Sequence, residues 1–236
     1  NNVFIPYGGW VGNVQRNTFN DIRLENPFIS EDANLQNTVQ KSNLFAGVRG
    51  SLSSKFTFNL SASFQKFDSM YFFTPDNISS YGNKFQMTYD NLSQTSFMGE
   101  ITYQDSEKLK VSAKGEYFIY DPSNELYAWQ KPEFLITLSG LLDLSNKIIV
   151  KSDIYLVGQR KVFSHYEPLR NYELEDGKYV STLKPLIDMN LSAEYRYNKK
   201  VSGFIQFNNF IGKKYQYWSN FPVQSINILG GVTFSF

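Results

Sequence analysis

Period-two alternation, repeated along nearly the whole chain, limits what this sequence can fold into. Apolar Ile187, Met189, Leu191, Ala193, Tyr195 and Tyr197 alternate with polar Asp188, Asn190, Ser192, Glu194 and Arg196. Phe56, Phe58, Leu60, Ala62 and Phe64 alternate with Thr57, Asn59, Ser61, Ser63 and Gln65 in the same way. Leu109, Val111, Ala113, Gly115 and Tyr117 do so with Lys110, Ser112, Lys114 and Glu116. Successive side chains of a strand point to opposite faces, whereas helical spacing would scatter these residues around a cylinder. Each segment therefore reads as a strand with one apolar and one polar face.

Ten such strands are expected, at about 2–15, 40–52, 55–73, 83–104, 108–121, 131–143, 147–163, 183–197, 200–214 and 222–236. The connections alternate between short and long. The short ones, 52–55, 105–108, 144–147 and 197–200, are small polar turns that each close on a lysine. The long ones cover about 16–39, 74–82, 122–130, 164–182 and 215–221. Asp90-Asn91 has the composition of a turn, but a break there would put turns 52–55 and 105–108 at opposite ends, so 83–104 reads as one long strand. The pattern predicts an all-β chain, a transmembrane antiparallel up-and-down β-barrel over 1–236, with periplasmic turns and extracellular loops.

Composition narrows the alternatives. Phe and Tyr are abundant, 21 and 16 residues, which suits pleated surfaces. A net charge of +1 argues against a nucleic-acid footprint. Without cysteine there are neither disulfides nor thiolate metal sites. No apolar run reaches the length of a transmembrane helix, yet alternating strands cross a bilayer with a polar average. The lone histidine, His165, sits in an expected loop, and no Gly-x-Ser-x-Gly elbow occurs, so no catalytic residue, cofactor site or metal site is assigned and the chain is not read as an enzyme.

The informative charges are Glu100, Lys110, Lys114, Glu116, Lys151, Asp153, Asp188, Glu194 and Arg196, all on polar faces of their strands. A lysine or arginine on the lipid side costs about 2–4 kcal/mol near the midplane, so these nine are expected to face a lumen. There they either tune passage or seat a plug, or simply neutralise one another. Tyr103, Tyr117, Tyr195, Tyr197, Phe234 and Phe236 suit interfacial girdles. The aromatic segment Tyr215–Phe221 reads as a barrel cap or a partner contact. Asn59 and Asn190, in Asn-x-Ser sequences, read as inward amides.

The run 184–199, Lys-Pro-Leu-Ile-Asp-Met-Asn-Leu-Ser-Ala-Glu-Tyr-Arg-Tyr-Asn-Lys, resembles the end of TonB-dependent-receptor-like barrels of Bacteroidota. So do Ile205–Tyr215, Asn220–Gln224, and the close Gly230-Gly231-Val232-Thr233-Phe234-Ser235-Phe236, whose terminal aromatic is similar to the signal read by outer-membrane assembly machinery. Glu25–Phe28 and Leu52–Lys55 fit the same family. The resemblance covers the C-terminal part of such proteins and includes no plug domain or TonB-box segment. It implies the bacterial outer membrane, contact with outer-membrane lipid, and one of two roles. One is a receptor- or porin-like barrel that binds or passes a solute. The other is a non-transporting subunit that docks a surface lipoprotein or other outer-membrane subunits. It also implies further strands upstream, so the working barrel is expected to exceed ten strands.

Overall fold

The computed structural model describes residues 3–76, 79–164 and 173–235. In chain order the elements are β1 (Val3–Gln15), α1 (Phe19–Glu25), β2 (Thr38–Ser51), β3 (Phe56–Pro75), β4 (Phe85–Asp105), β5 (Leu109–Pro122), β6 (Phe134–Leu144) and β7 (Ile148–Val157). They continue with β8 (Arg160–Ser164), β9 (Glu173–Glu175), β10 (Lys178–Leu183), β11 (Leu186–Arg196), β12 (Val201–Asn208), β13 (Gln216–Trp218), β14 (Phe221–Pro222) and β15 (Asn227–Phe234). Among the described residues, ten strands form one antiparallel sheet in the order β1-β2-β3-β4-β5-β6-β7-β11-β12-β15. Each wall strand pairs with its predecessor, as an up-and-down meander requires. Among the described residues, β1 pairs only with β2, and β15 only with β12.

All four short turns lie at one end of this sheet. They are held by local polar contacts: Asn198 Oδ1 accepts from the backbone of Lys200 and Val201 at 2.8 and 2.9 Å, and Asp143 Oδ1 from Asn146 at 2.8 Å. Ser145 and Asn146 both adopt positive φ near 59°, the left-handed conformation of a tight hairpin. Segment 83–104 is one strand, β4, which runs through Asp90-Asn91 without a break.

Register fixes the two faces. Phe64, Leu60 and Phe56 of β3 stand beside Leu44 and Val48 of β2 and Thr95, Gly99 and Tyr103 of β4. The same row continues through Tyr117, Ala113, Leu138, Ile154, Met189, Phe207 and Ile228. Its large apolar side chains are partly or fully exposed, Leu60 to 52% and Val232 to 76%. A continuous exposed apolar belt is stable only against hydrocarbon. On β3 it runs from Phe56 to Phe64 and stops at Lys66, close to the roughly 9–11 residues of a membrane-crossing strand. Aromatics mark its turn-side edge, with Phe4 against Phe58 at 5.5 Å and Phe56 against Tyr103 at 4.7 Å.

Three expected strands come out shorter in the wall. The strand expected over 147–163 leaves the wall after Val157, and Arg160–Ser164 pairs with β10 in a separate three-stranded sheet with β9. Gly158 makes that exit: its backbone hydrogen-bonds Phe134 O at 2.8 Å, and a Cβ there would meet Phe134 N at 2.8 Å. The strands expected over 200–214 and 222–236 shrink to Val201–Asn208 and Asn227–Phe234. The small β13–β14 hairpin forms almost entirely within the expected loop 215–221 and takes only Pro222 from these strands. His165 and Phe236 lie outside the described residues, as does Asn77 of another Asn-x-Ser sequence.

The two-faced wall makes a directional prediction. Leu191→Arg puts a charge on the apolar face and should cost about 2–4 kcal/mol, whereas Asn190→Arg on the polar face should be tolerated. Heat-modifiable mobility of the assembled protein on gels checks this, with loss of the folded band expected for Leu191→Arg alone.

Candidate functional site

The polar face carries a continuous set of hydrogen-bonding side chains. Tyr7 donates to Asn59 Oδ1 at 2.7 Å, Gln40 to Gln65 at 2.8 Å, and the Ser63 and Ser96 hydroxyls share a bond of 2.7 Å. Gly47 leaves room for the Tyr7 ring, since a Cβ there would lie 2.6 Å from the phenolic oxygen. Arg49, on the same face, sits 5.9 Å from that ring centre.

Pairing places all nine charged candidates on this polar face, opposite the apolar belt. Glu100 stands across from Lys114 in register, and Lys114 bonds Glu116 at 3.0 Å. Asp153 accepts from Ser139 at 2.6 Å. Asp188 accepts from Tyr215 at 2.7 Å, and Arg196 reaches Glu194 at 3.4 Å. Glu100, Lys110 and Lys151 make no side-chain hydrogen bond or ion pair among the described residues. The set is thus dispersed over the wall, partly neutralised by neighbours, and does not converge on one point. Among the described residues no cluster of acids and histidine could hold a metal ion.

A second feature was not visible in the strand pattern. Above a bulge between Phe67 and Met70, the β3–β4 hairpin is buried on both faces. One face, with Tyr71, Phe73, Phe85 and Met87, packs against Ile22 of α1, Ile29 and Trp218. The other packs Phe72 and Leu92 against Ala128, Trp129, Phe163 and Val180. Trp218 meets Phe73 edge-on at 5.0 Å, and Phe221 stacks on Phe28 at 3.7 Å. β3 and β12, which Trp218 follows, are six places apart in the sheet, roughly 29 Å if it were flat. The wall curls and its long loops meet over one end.

Polar anchors tie this cap together. Asp90, from the turn-like dipeptide, accepts backbone bonds from Asn124 and Glu125 at 2.7 Å each, pinning the 123–133 loop to β4. Glu125 takes Trp129 Nε1 at 2.7 Å and Lys178 Nζ at 2.6 Å, reaching β10. Arg160, 2% exposed, donates to the carbonyls of Gln216 and Tyr217, joining β8 to β13. Burial holds the Lys131 ammonium below the usual lysine range, while Glu25, 3.8 Å away, pulls the other way. Aromatic segment 215–221 is therefore part of the cap, packed on its own chain.

These features define a class: an arc of the wall of a membrane-spanning antiparallel β-barrel, with one polar and one apolar face and its long loops packed together at one end. No family model matches the chain, and no curated protein matches its sequence. Solved structures match its shape. The pyoverdine outer membrane receptor FpvA of Pseudomonas aeruginosa PAO1 superposes with a TM-score of 0.68 at 12% identity, over 99% of this chain and 34% of that one. The ferric-catecholate import receptor Fiu of K12 E. coli gives 0.64 at 9% identity, over 99% and 33%. The FrpB iron transporter of Neisseria meningitidis gives 0.61 at 12%, over 99% and 36%. The chain spans about a third of the length of these structures.

Trp129 is fully buried between the hairpin and β8, so Trp129→Ala should cost the cap about 3–5 kcal/mol while leaving the wall paired. Limited proteolysis of intact cells should then cut the long loops faster, with heat-modifiable mobility of the barrel unchanged.

Proposed function

We propose that this chain is an arc of a bacterial outer-membrane receptor barrel that binds a solute at its loop cap and passes it along its polar face. The observation that carries the reading is the combination of a wall with one polar face and loops folded into a packed layer over one end. A plain wall needs no such layer, since loops without a binding role can remain separate and solvated. Likeness in fold to receptors whose names specify pyoverdine, ferric catecholate and iron supports it and makes metal chelates the first solute class to test. In this reading the nine charged residues line a lumen, and the short turns are periplasmic.

The open edges of β1 and β15 support a larger barrel. Each unpaired backbone group in hydrocarbon costs several kcal/mol, so both edges need partner strands. A second reading, a non-transporting subunit docking a surface lipoprotein, is favoured by the exposed Tyr217 and Phe28 rings on the cap.

Accumulation of radiolabelled ferric chelates by a strain lacking the gene, compared with the complemented strain, separates the two. The receptor reading expects at least one chelate whose uptake falls about tenfold or more on deletion. Uptake unchanged for every chelate, together with a surface lipoprotein that is lost from the cell surface on deletion and restored by complementation, would favour the docking subunit.

A further inference from the structure

The four turns share a terminal lysine, but the structure treats those lysines differently. Lys55 is bound to Asp105 at 2.7 Å, and Lys108 shares its turn with Glu107. Around turns 144–147 and 197–200 the balance changes. Among the described residues, Lys147, Arg196, Lys199 and Lys200 share the cleft lining with one acid, Glu194, and Asp143 stands at the foot of the neighbouring turn. Glu194 is taken by Arg196, and Asp143 caps the Asn146 backbone. The three lysines are exposed and make no ion pair among the described residues. Together with Ser145, Asn146, Asn198, Ser202, Thr233 and Ser235 they line a cleft of about 600 Å³ between the two turns.

We infer that this cleft binds an acidic peptide segment of a periplasmic partner at the mouth of the barrel; the periplasmic placement rests on the orientation proposed above. Glu194, Arg196, Ser202 and Thr233 belong to the polar face, while Tyr197 and Val201 border the cleft on the apolar side. An inner-leaflet headgroup would approach from the opposite face. Arg196 touches Glu194 through Nε at 3.4 Å, and the three lysines are point charges spread over two turns, not gathered at one spot. That arrangement suits several carboxylates spaced along a chain, with serine and asparagine side chains to meet its backbone. Turns pinned by Asn198 and Asp143 present the charges with little ordering cost.

The test uses the full-length protein in phosphatidylcholine nanodiscs, where both ends are accessible, and fluorescein-labelled hexaglutamate as probe, with hexaglutamine as control. Anisotropy should show saturable binding of hexaglutamate alone. The triple variant K147Q/K199Q/K200Q should weaken it about tenfold or more, while the charge-matched K184Q/K213Q/K214Q at the loop end should change it by less than about twofold. Equal weakening by both triples, absence of binding, or displacement of the probe by phosphatidylglycerol vesicles or inorganic phosphate would overturn the inference. Orientation is read separately by maleimide labelling of Asn146→Cys and Tyr81→Cys on intact cells. Labelling at position 81 alone agrees with the periplasmic placement. Labelling at 146 overturns the placement and the orientation it rests on, while the nanodisc titration still reports whether the cleft holds the peptide.

Discussion

Backbone hydrogen bonding in a medium without water governs this fold. Every N–H and C=O inside the hydrocarbon must find a partner in a neighbouring strand, because lipid offers none. Once a strand is paired on both sides, its side chains divide by alternation into those that meet lipid and those that do not. Leu191 and Asn190 are adjacent in sequence, yet they belong to opposite environments. The belt from Phe56 to Phe64 and the hydrogen-bonded face of Asn59, Ser63 and Gln65 are two consequences of one period.

Beyond the belt the constraint relaxes, and ordinary core packing takes over. The bulge between Phe67 and Met70 marks that passage: below it β3 has an exposed and a polar side, above it Phe72 and Phe73 are both buried. The hairpin serves as the beam on which loops from distant strands are hung. Arg160 and Asp90 are costly groups to bury, and each is held by several backbone partners, which makes the cap one connected body.

The wall was legible in the amino-acid order because its rule is local. Alternation predicted the ten strands, and turn parity kept Phe85–Asp105 whole across Asp90-Asn91. The placement of the nine charged residues on one face also follows from counting along each strand. Their partners do not: Asp188 is met by Tyr215, 27 residues on, in a loop that carries no periodic signal. Segment 147–163 reads as one strand, and only the exit at Gly158 and the pairing of Arg160–Ser164 with β10 reveal that its end has left the wall. The cap's aromatics were visible as a composition, but their contacts, such as Trp218 on Phe73, join segments separated by more than half the chain.

The most direct test of this account is a scan of nitroxide spin labels at each position from 187 to 196 in the membrane-assembled protein, with relaxation measured against oxygen and a polar nickel chelate. Oxygen, which partitions into hydrocarbon, should dominate at 187, 189, 191, 193 and 195. The nickel chelate should gain relative to oxygen at 188, 190, 192, 194 and 196. A two-residue period in antiphase between the two reagents is the predicted result. Accessibility that varies with a period near 3.6, or that favours the chelate at every position, would contradict it.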